Sequence, residues 1–127
     1  PADQDAATQA LDTGERIVSM AIIDGRLFLG PDSGGVLVSS ADKPQVGGAR
    51  KLVMDAMIVD IQKFGDYAAF LPLRGRVGLW PLDGPEGHDQ VDVVDVEDVV
   101  GVVDGVDPRG FVVNRKRSEL QFVEWND

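Results

Sequence analysis

The sequence predicts an all-β chain made of three consecutive four-stranded antiparallel meanders. Three observations carry this. From residue 16 onward the chain is a series of short runs rich in Val, Ile and aromatic residues, divided by Asp-Gly, Gly-Asp and Gly-Gly turns. The runs recur at a fixed step: Ile17, Ile58 and Val99 each stand near the head of a comparable run, and successive members are 41 residues apart. Fifteen Gly and seven Pro among 127 residues, with 43% apolar content, describe a turn-rich globular domain long enough to bury a core.

Residues 1–15 form a polar, Ala-rich segment without a clear period; Ala6 to Leu11 is compatible with a short helix, a tail or an edge strand. Residues 16–56 make the first unit. Ile17–Ile23 has the β-branched content of a buried strand. Asp24-Gly25 follows, two residues that tolerate the positive φ of a tight hairpin. Arg26–Gly30 returns, Asp32–Gly35 turns, Val36–Ser39 is the third strand, and Lys51–Met54 the fourth, beyond a loop with Pro44 and Gly47-Gly48. Residues 57–97 repeat this order: Met57–Phe64, a turn at Gly65-Asp66, Tyr67–Leu71, a turn at Arg74–Arg76, Val77–Trp80, a Gly/Pro loop, and Gln90–Val96. The last of these alternates Val with Asp, as a strand with one buried and one wet face does, and the Val93-Val94 step interrupts the alternation like a bulge. Residues 98–127 supply Val99–Val103, Phe111–Asn114 and Leu120–Trp125 as strands, so the third unit lacks an outer strand.

A repeat of about 40–45 residues, each rich in short strands, marks a β-propeller blade. Phe28, Phe70 and Val112 align at a step of 42 residues; Val36, Val77 and Leu120 open the third strands; Val38, Leu79 and Phe122 share a face. The expected architecture is therefore part of a β-propeller, with blades at 16–56, 57–97 and 98–127. Closed propellers use about 4–8 blades, so the expectation includes completion by other blades. The start at Pro1, without Met, fits a processed chain or an excerpt of a longer one. The expected core is Ile22, Leu27, Leu29, Val36, Val38, Val59, Ile61, Phe70, Leu79, Val100, Val102, Val112 and Phe122.

The order apolar strand, Asp-Gly, apolar strand, short Gly turn and Val-x-Leu-Trp resembles a WD40-type propeller repeat. Val77-Gly78-Leu79-Trp80 and Phe122-Val123-Glu124-Trp125 match the end of its third strand. The resemblance covers Arg16 to Asp127. It departs from the family pattern where Val38-Ser39-Ser40 stands in place of a Trp, where Trp80 precedes Pro81 and Trp125 precedes Asn126, and where Gly87-His88 comes before the fourth strand. It implies a rigid protein-interaction platform.

The formal net charge of −10 argues against nucleic acid and anionic membranes, whose phosphates call for a basic surface. Without Cys there is neither a disulfide nor a Cys-based metal site. No apolar run approaches a membrane span and no signal peptide is visible, which leaves localisation open, with the cytoplasm as default. His88, the only histidine, has no nucleophile near it in sequence and reads as a wet loop residue. The acids from Asp92 to Asp107 alternate largely with Val and lie along a strand rather than converging as a calcium loop does. Gly34-Gly35 and Gly47-Gly48 lack the strand, helix and Lys of a phosphate cradle. No enzymatic activity, cofactor or metal is expected.

Two features remain as candidate sites. Five of the twelve basic residues, Arg74, Arg76, Arg115, Lys116 and Arg117, sit in two corresponding turns and would share one rim, suited to an acidic or phosphorylated segment. Asp55, Glu97 and Asp98 in neighbouring loops would offset them. The edge carrying Leu120, Phe122 and Trp125 would invite strand addition; the segment Thr8–Leu11 is the in-chain candidate for that strand, although Trp80 and Trp125 also suit packing between blades. The expected partner is a second copy or another propeller-containing chain. The alternatives are an enzyme or carbohydrate-binding subunit whose site forms on ring closure, and a self-contained β-sandwich.

Overall fold

The computed structural model describes residues 15–39, 50–84, 89–116 and 119–126. Eleven strands run in chain order: β1 (Ile17–Ile23), β2 (Arg26–Pro31), β3 (Val36–Val38), β4 (Arg50–Leu52), β5 (Ile58–Phe64), β6 (Tyr67–Pro72), β7 (Arg76–Pro81), β8 (Asp92–Glu97), β9 (Val99–Val103), β10 (Gly110–Lys116) and β11 (Glu119–Glu124). They form three antiparallel sheets, each a meander in sequence order: β1-β2-β3-β4, β5-β6-β7-β8 and β9-β10-β11. No helix occurs among the described residues. The segment Thr8–Leu11, Gly47-Gly48, His88 and Arg117 lie outside the described residues.

The 41-residue step holds at the level of backbone pairing. Ile17 pairs with Pro31, Ile58 with Pro72, and Val99 with Val113. The register then slips in every sheet at the same place, leaving Val18, Val59 and Val100 as the extra residues of three equivalent bulges. Beyond the bulge Met20 faces Leu29, Ile61 faces Phe70, and Val102 faces Phe111. A hydrogen bond ties each second strand's exit to the residue before the first strand: Asp32 N–H to Arg16 O (2.8 Å), Leu73 N–H to Met57 O (2.9 Å) and Asn114 N–H to Asp98 O (3.0 Å).

This corrects the sequence alignment by one residue. Leu29, Phe70 and Phe111 are equivalent, not Phe28, Phe70 and Val112. In the third unit the β10–β11 turn is longer, so Val123 stands opposite Phe111 where Gly78 stands opposite Phe70. Phe122 thus takes the place of Val77, and Leu120 lies beyond it. The Trp positions do match: Trp80 pairs with Ala68, Trp125 N–H donates to Arg109 O at 2.9 Å, and Ser39 N–H donates to Leu27 O at 2.9 Å. Ser39 therefore occupies the Trp place of the first unit, and its hydroxyl accepts the Leu27 N–H at 2.9 Å.

The sheets stack through their first strands, β1 against β5 and β5 against β9. Strand alternation then divides the middle sheet. Ile58, Ile61, Ala68, Phe70 and Trp80 face the first sheet, where Phe28 lies 6.0 Å from Phe70 and 5.9 Å from Trp80 between ring centroids. Phe64, Ala69, Leu71, Val77 and Leu79 face the third, where Phe64 and Phe111 are 4.8 Å apart and Phe111 and Trp125 5.7 Å. A Trp ring therefore closes each junction, and Arg26 (5.2 Å) and Arg50 (6.0 Å) lie over the Trp80 ring. At the first junction the Ser19 hydroxyl also donates to the Ile58 carbonyl at 2.6 Å.

Of the expected core, Leu29, Val36, Val38, Ile61, Phe70 and Leu79 are buried, and Leu27, Val102 and Val112 are half-buried. Ile22, Val59, Val100 and Phe122 are exposed. Val59 and Val100 are the bulged residues, so a plain alternation assigns them to the wrong face. Ile22 and Phe122 lie on the outward faces of the first and third sheets, which no other described strand covers.

Candidate functional site

Three surfaces arise from this arrangement. The first is the pair of open sheet faces. Positions that are open on the first sheet's outward face have covered counterparts in the body of the middle sheet. Met20 is 65% exposed, whereas Ile61, 41 residues later, is 5% exposed. On the third sheet's outward face Phe122 is 45% exposed, whereas its counterpart Val77 is fully buried. The difference is the presence or absence of a neighbouring sheet. Phe122 also lies near Gly110: a side chain there would run into the Val123 carbonyl of β11 and would stand 2.9 Å from both the Glu124 Cα and the Phe122 ring, so this glycine lets the β11 backbone approach closely. Two apolar faces, with Met20 and Ile22 on one and Leu120 and Phe122 on the other, thus lie at opposite ends of the stack.

The second surface is the rim at the ends of β2, β6 and β10. Leu73 and Asn114 line one cleft of about 370 Å³, so the ends of β6 and β10 lie side by side. Arg74 and Arg115 hold equivalent positions at the 41-residue step. The backbone of Arg115 and Lys116 belongs to β10. Arg76 is not a free cation: its guanidinium lies 3.8 Å from Asp95 and 4.0 Å from Glu97. Both partners are exposed, so the pairing contributes little to stability, yet it offsets the charge. Arg74 and Arg76 share a second open cleft, of about 350 Å³, with Asp55 and Glu97. The rim is therefore of mixed charge on the side of the middle sheet.

The third surface is the edge of the third sheet. β11 is hydrogen-bonded on one side to β10 and forms the edge. Leu120 and Phe122 are exposed on it. Trp125 is half-buried and packs on Phe111 beside the second core.

Among the described residues no group of three or more His, Asp or Glu side chains converges to hold a metal. The acids of β8 lie along the strand, with Asp92, Asp95 and Glu97 exposed and Val96 buried. The bulge expected at Val93-Val94 agrees with the register shift between β7 and β8, where Gly78 pairs with Val93 and Arg76 with Glu97; the three first-strand bulges went unread, and their signal is a Val at positions 18, 59 and 100, within runs where strict alternation fails. No family model, curated protein or solved structure matches this chain.

Proposed function

We propose that this chain is a non-enzymatic protein-interaction scaffold, a run of three β-propeller-like blades whose open faces are completed by further blades. The observation that carries this reading is the pairing pattern. Three sheets repeat the same register, the same bulge and the same closing hydrogen bond at one 41-residue step. The first sheet packs on the second and the second on the third, and among the described residues the first and third sheets each leave an apolar face uncovered. A further sheet can meet either face as each sheet meets the next. Exposed apolar faces of this kind mark interaction sites. The rim around Arg74 and the edge at Leu120 and Phe122 are the secondary docking surfaces in this reading.

The test is sedimentation velocity on the 127-residue chain, alongside binding of a dye specific for apolar surface. The scaffold reading expects either self-association or a monomer that binds dye. A cooperative, dye-free monomer would exclude docking faces.

A further inference from the structure

The open ends carry information about which partner fits them. At the first junction the tip of one hairpin touches the end of the next sheet's first strand: Lys63 Nζ lies 3.1 Å from Asp24 Oδ1. One step later Asp24 becomes Gly65 and Lys63 becomes Asp104. There the junction is bridged differently, with the Arg109 guanidinium against Gly65 and 5.4 Å above the Phe64 ring. The same two positions also exist at the open ends. On the third sheet the hairpin-tip position is Val106, two steps after Asp24. On the first sheet the strand-end position is Ile22, one step before Lys63. Both are apolar, where the first closed junction has Asp24 and Lys63 and the second Gly65 and Asp104, and both are exposed, Val106 at 63% and Ile22 at 71%.

An apolar residue at a hairpin tip gains nothing from water, and so does one at the wet end of a strand. Together they match. If the third sheet packs on a first sheet as each sheet packs on the next within the chain, Val106 meets Ile22 and Phe122 enters the place that Val77 fills in the middle sheet. Met20 then becomes covered as Ile61 is.

Resting on the scaffold reading above, we infer that the occupant of each open face is a second copy of this chain, docked head to tail. The third sheet of each copy lies on the first sheet of the other. Two such junctions, related by a twofold axis, close the assembly and leave no open end. Six sheets result, within the range of about 4–8 that closed rings of this kind use. Each chain carries a net charge of −10. Self-association through apolar faces must therefore work against repulsion and should tighten with added salt. Docking through the arginines of the rim would weaken instead.

The experiment is analytical ultracentrifugation of the wild-type chain and of two variants, Ile22→Lys and Val106→Asp. Both sites are exposed, so each variant should fold, which far-UV circular dichroism checks. The wild type is expected at twice the 13.6 kDa chain mass. Each variant alone should dimerise at least tenfold more weakly. An equimolar mixture should recover the dimer, because one junction then keeps Ile22 on Val106 and the other regains a Lys–Asp pair of the kind seen at the first junction. Loss of dimer with Ile22→Lys but not with Val106→Asp would instead mean a symmetric first-sheet contact and would overturn the head-to-tail assignment. A wild-type monomer that binds apolar dye would overturn the second copy as partner while leaving the scaffold reading with a different chain as occupant. A dye-free monomer would overturn both.

Discussion

Truncating Phe70 to Ala tests whether the first junction holds the stack together. Phe70 is fully buried, on the face of the middle sheet that meets Phe28, and it shares one cluster with Ile61 and Trp80. Removing the ring forfeits about 2–3 kcal/mol of apolar transfer. The Phe28 contact adds about 1 kcal/mol, and a cavity remains because both neighbours are themselves ring systems fixed by strand pairing. The expected cost is about 4 kcal/mol, a large share of the roughly 5–15 kcal/mol that holds a domain of this size together. The melting temperature should fall by about 15 °C. Phe122→Ala is the matched control. Its ring is half out of water on an open face, so the same truncation should cost about 1 kcal/mol within one copy. The assay is urea unfolding followed by far-UV circular dichroism at low micromolar concentration, where association contributes least. A cost below about 1 kcal/mol at Phe70 would refute the assignment of this residue to the first core. Equal losses at the two sites would refute the distinction between closed and open faces.

Other outcomes follow from the same geometry. Gly30→Ala should destabilise by about 2–3 kcal/mol, because a Cβ there would run into the Ser19 hydroxyl and stand 2.8 Å from the Ile58 carbonyl; a neutral substitution would mean the first junction is looser than described. Gly25→Ala has open space around it, so its cost is the strain of φ +79° alone, about 1 kcal/mol, and chemical denaturation should rank it well below Gly30→Ala. Lys63→Ala removes a half-exposed ion pair with Asp24 and should cost less than about 1 kcal/mol, an effect that disappears near 1 M salt; a larger, salt-resistant loss would show the contact is not mainly ionic. Trp125→Phe leaves Trp80 as the reporter of the first junction, and Trp80→Phe leaves Trp125 for the second. In each variant the fluorescence and circular dichroism transitions should coincide, since the middle sheet belongs to both cores; separated transitions would show that the sheets unfold independently.

The strand order, the three-unit division and most turn positions were legible in the amino-acid sequence. Each depends on local chemistry: β-branched runs for strands, and Asp24-Gly25 or Gly65 where the chain must take positive φ. The 41-residue step was legible as well, because equivalent strands need equivalent apolar residues to meet equivalent neighbours. The Trp80 and Trp125 match survived a change in turn length, because both rings close a junction between sheets.

Tertiary structure decided which side of each strand is the inside. Alternation alone placed Val59 and Val100 in the core, and bulges invisible to a two-residue period put them in water. It placed Phe122 and Ile22 there too, because both are apolar residues in good strands; whether such a residue is buried depends on another sheet lying over it, and that is a property of the stack rather than of the strand. The candidate rim divides the same way. The charges of Arg74 and Arg76 were plain in the sequence, but the pairing of Arg76 with Asp95 and Glu97 required β8 to lie beside β7. Local propensity therefore determined what each segment of this chain becomes, while long-range packing determined what each face is able to touch.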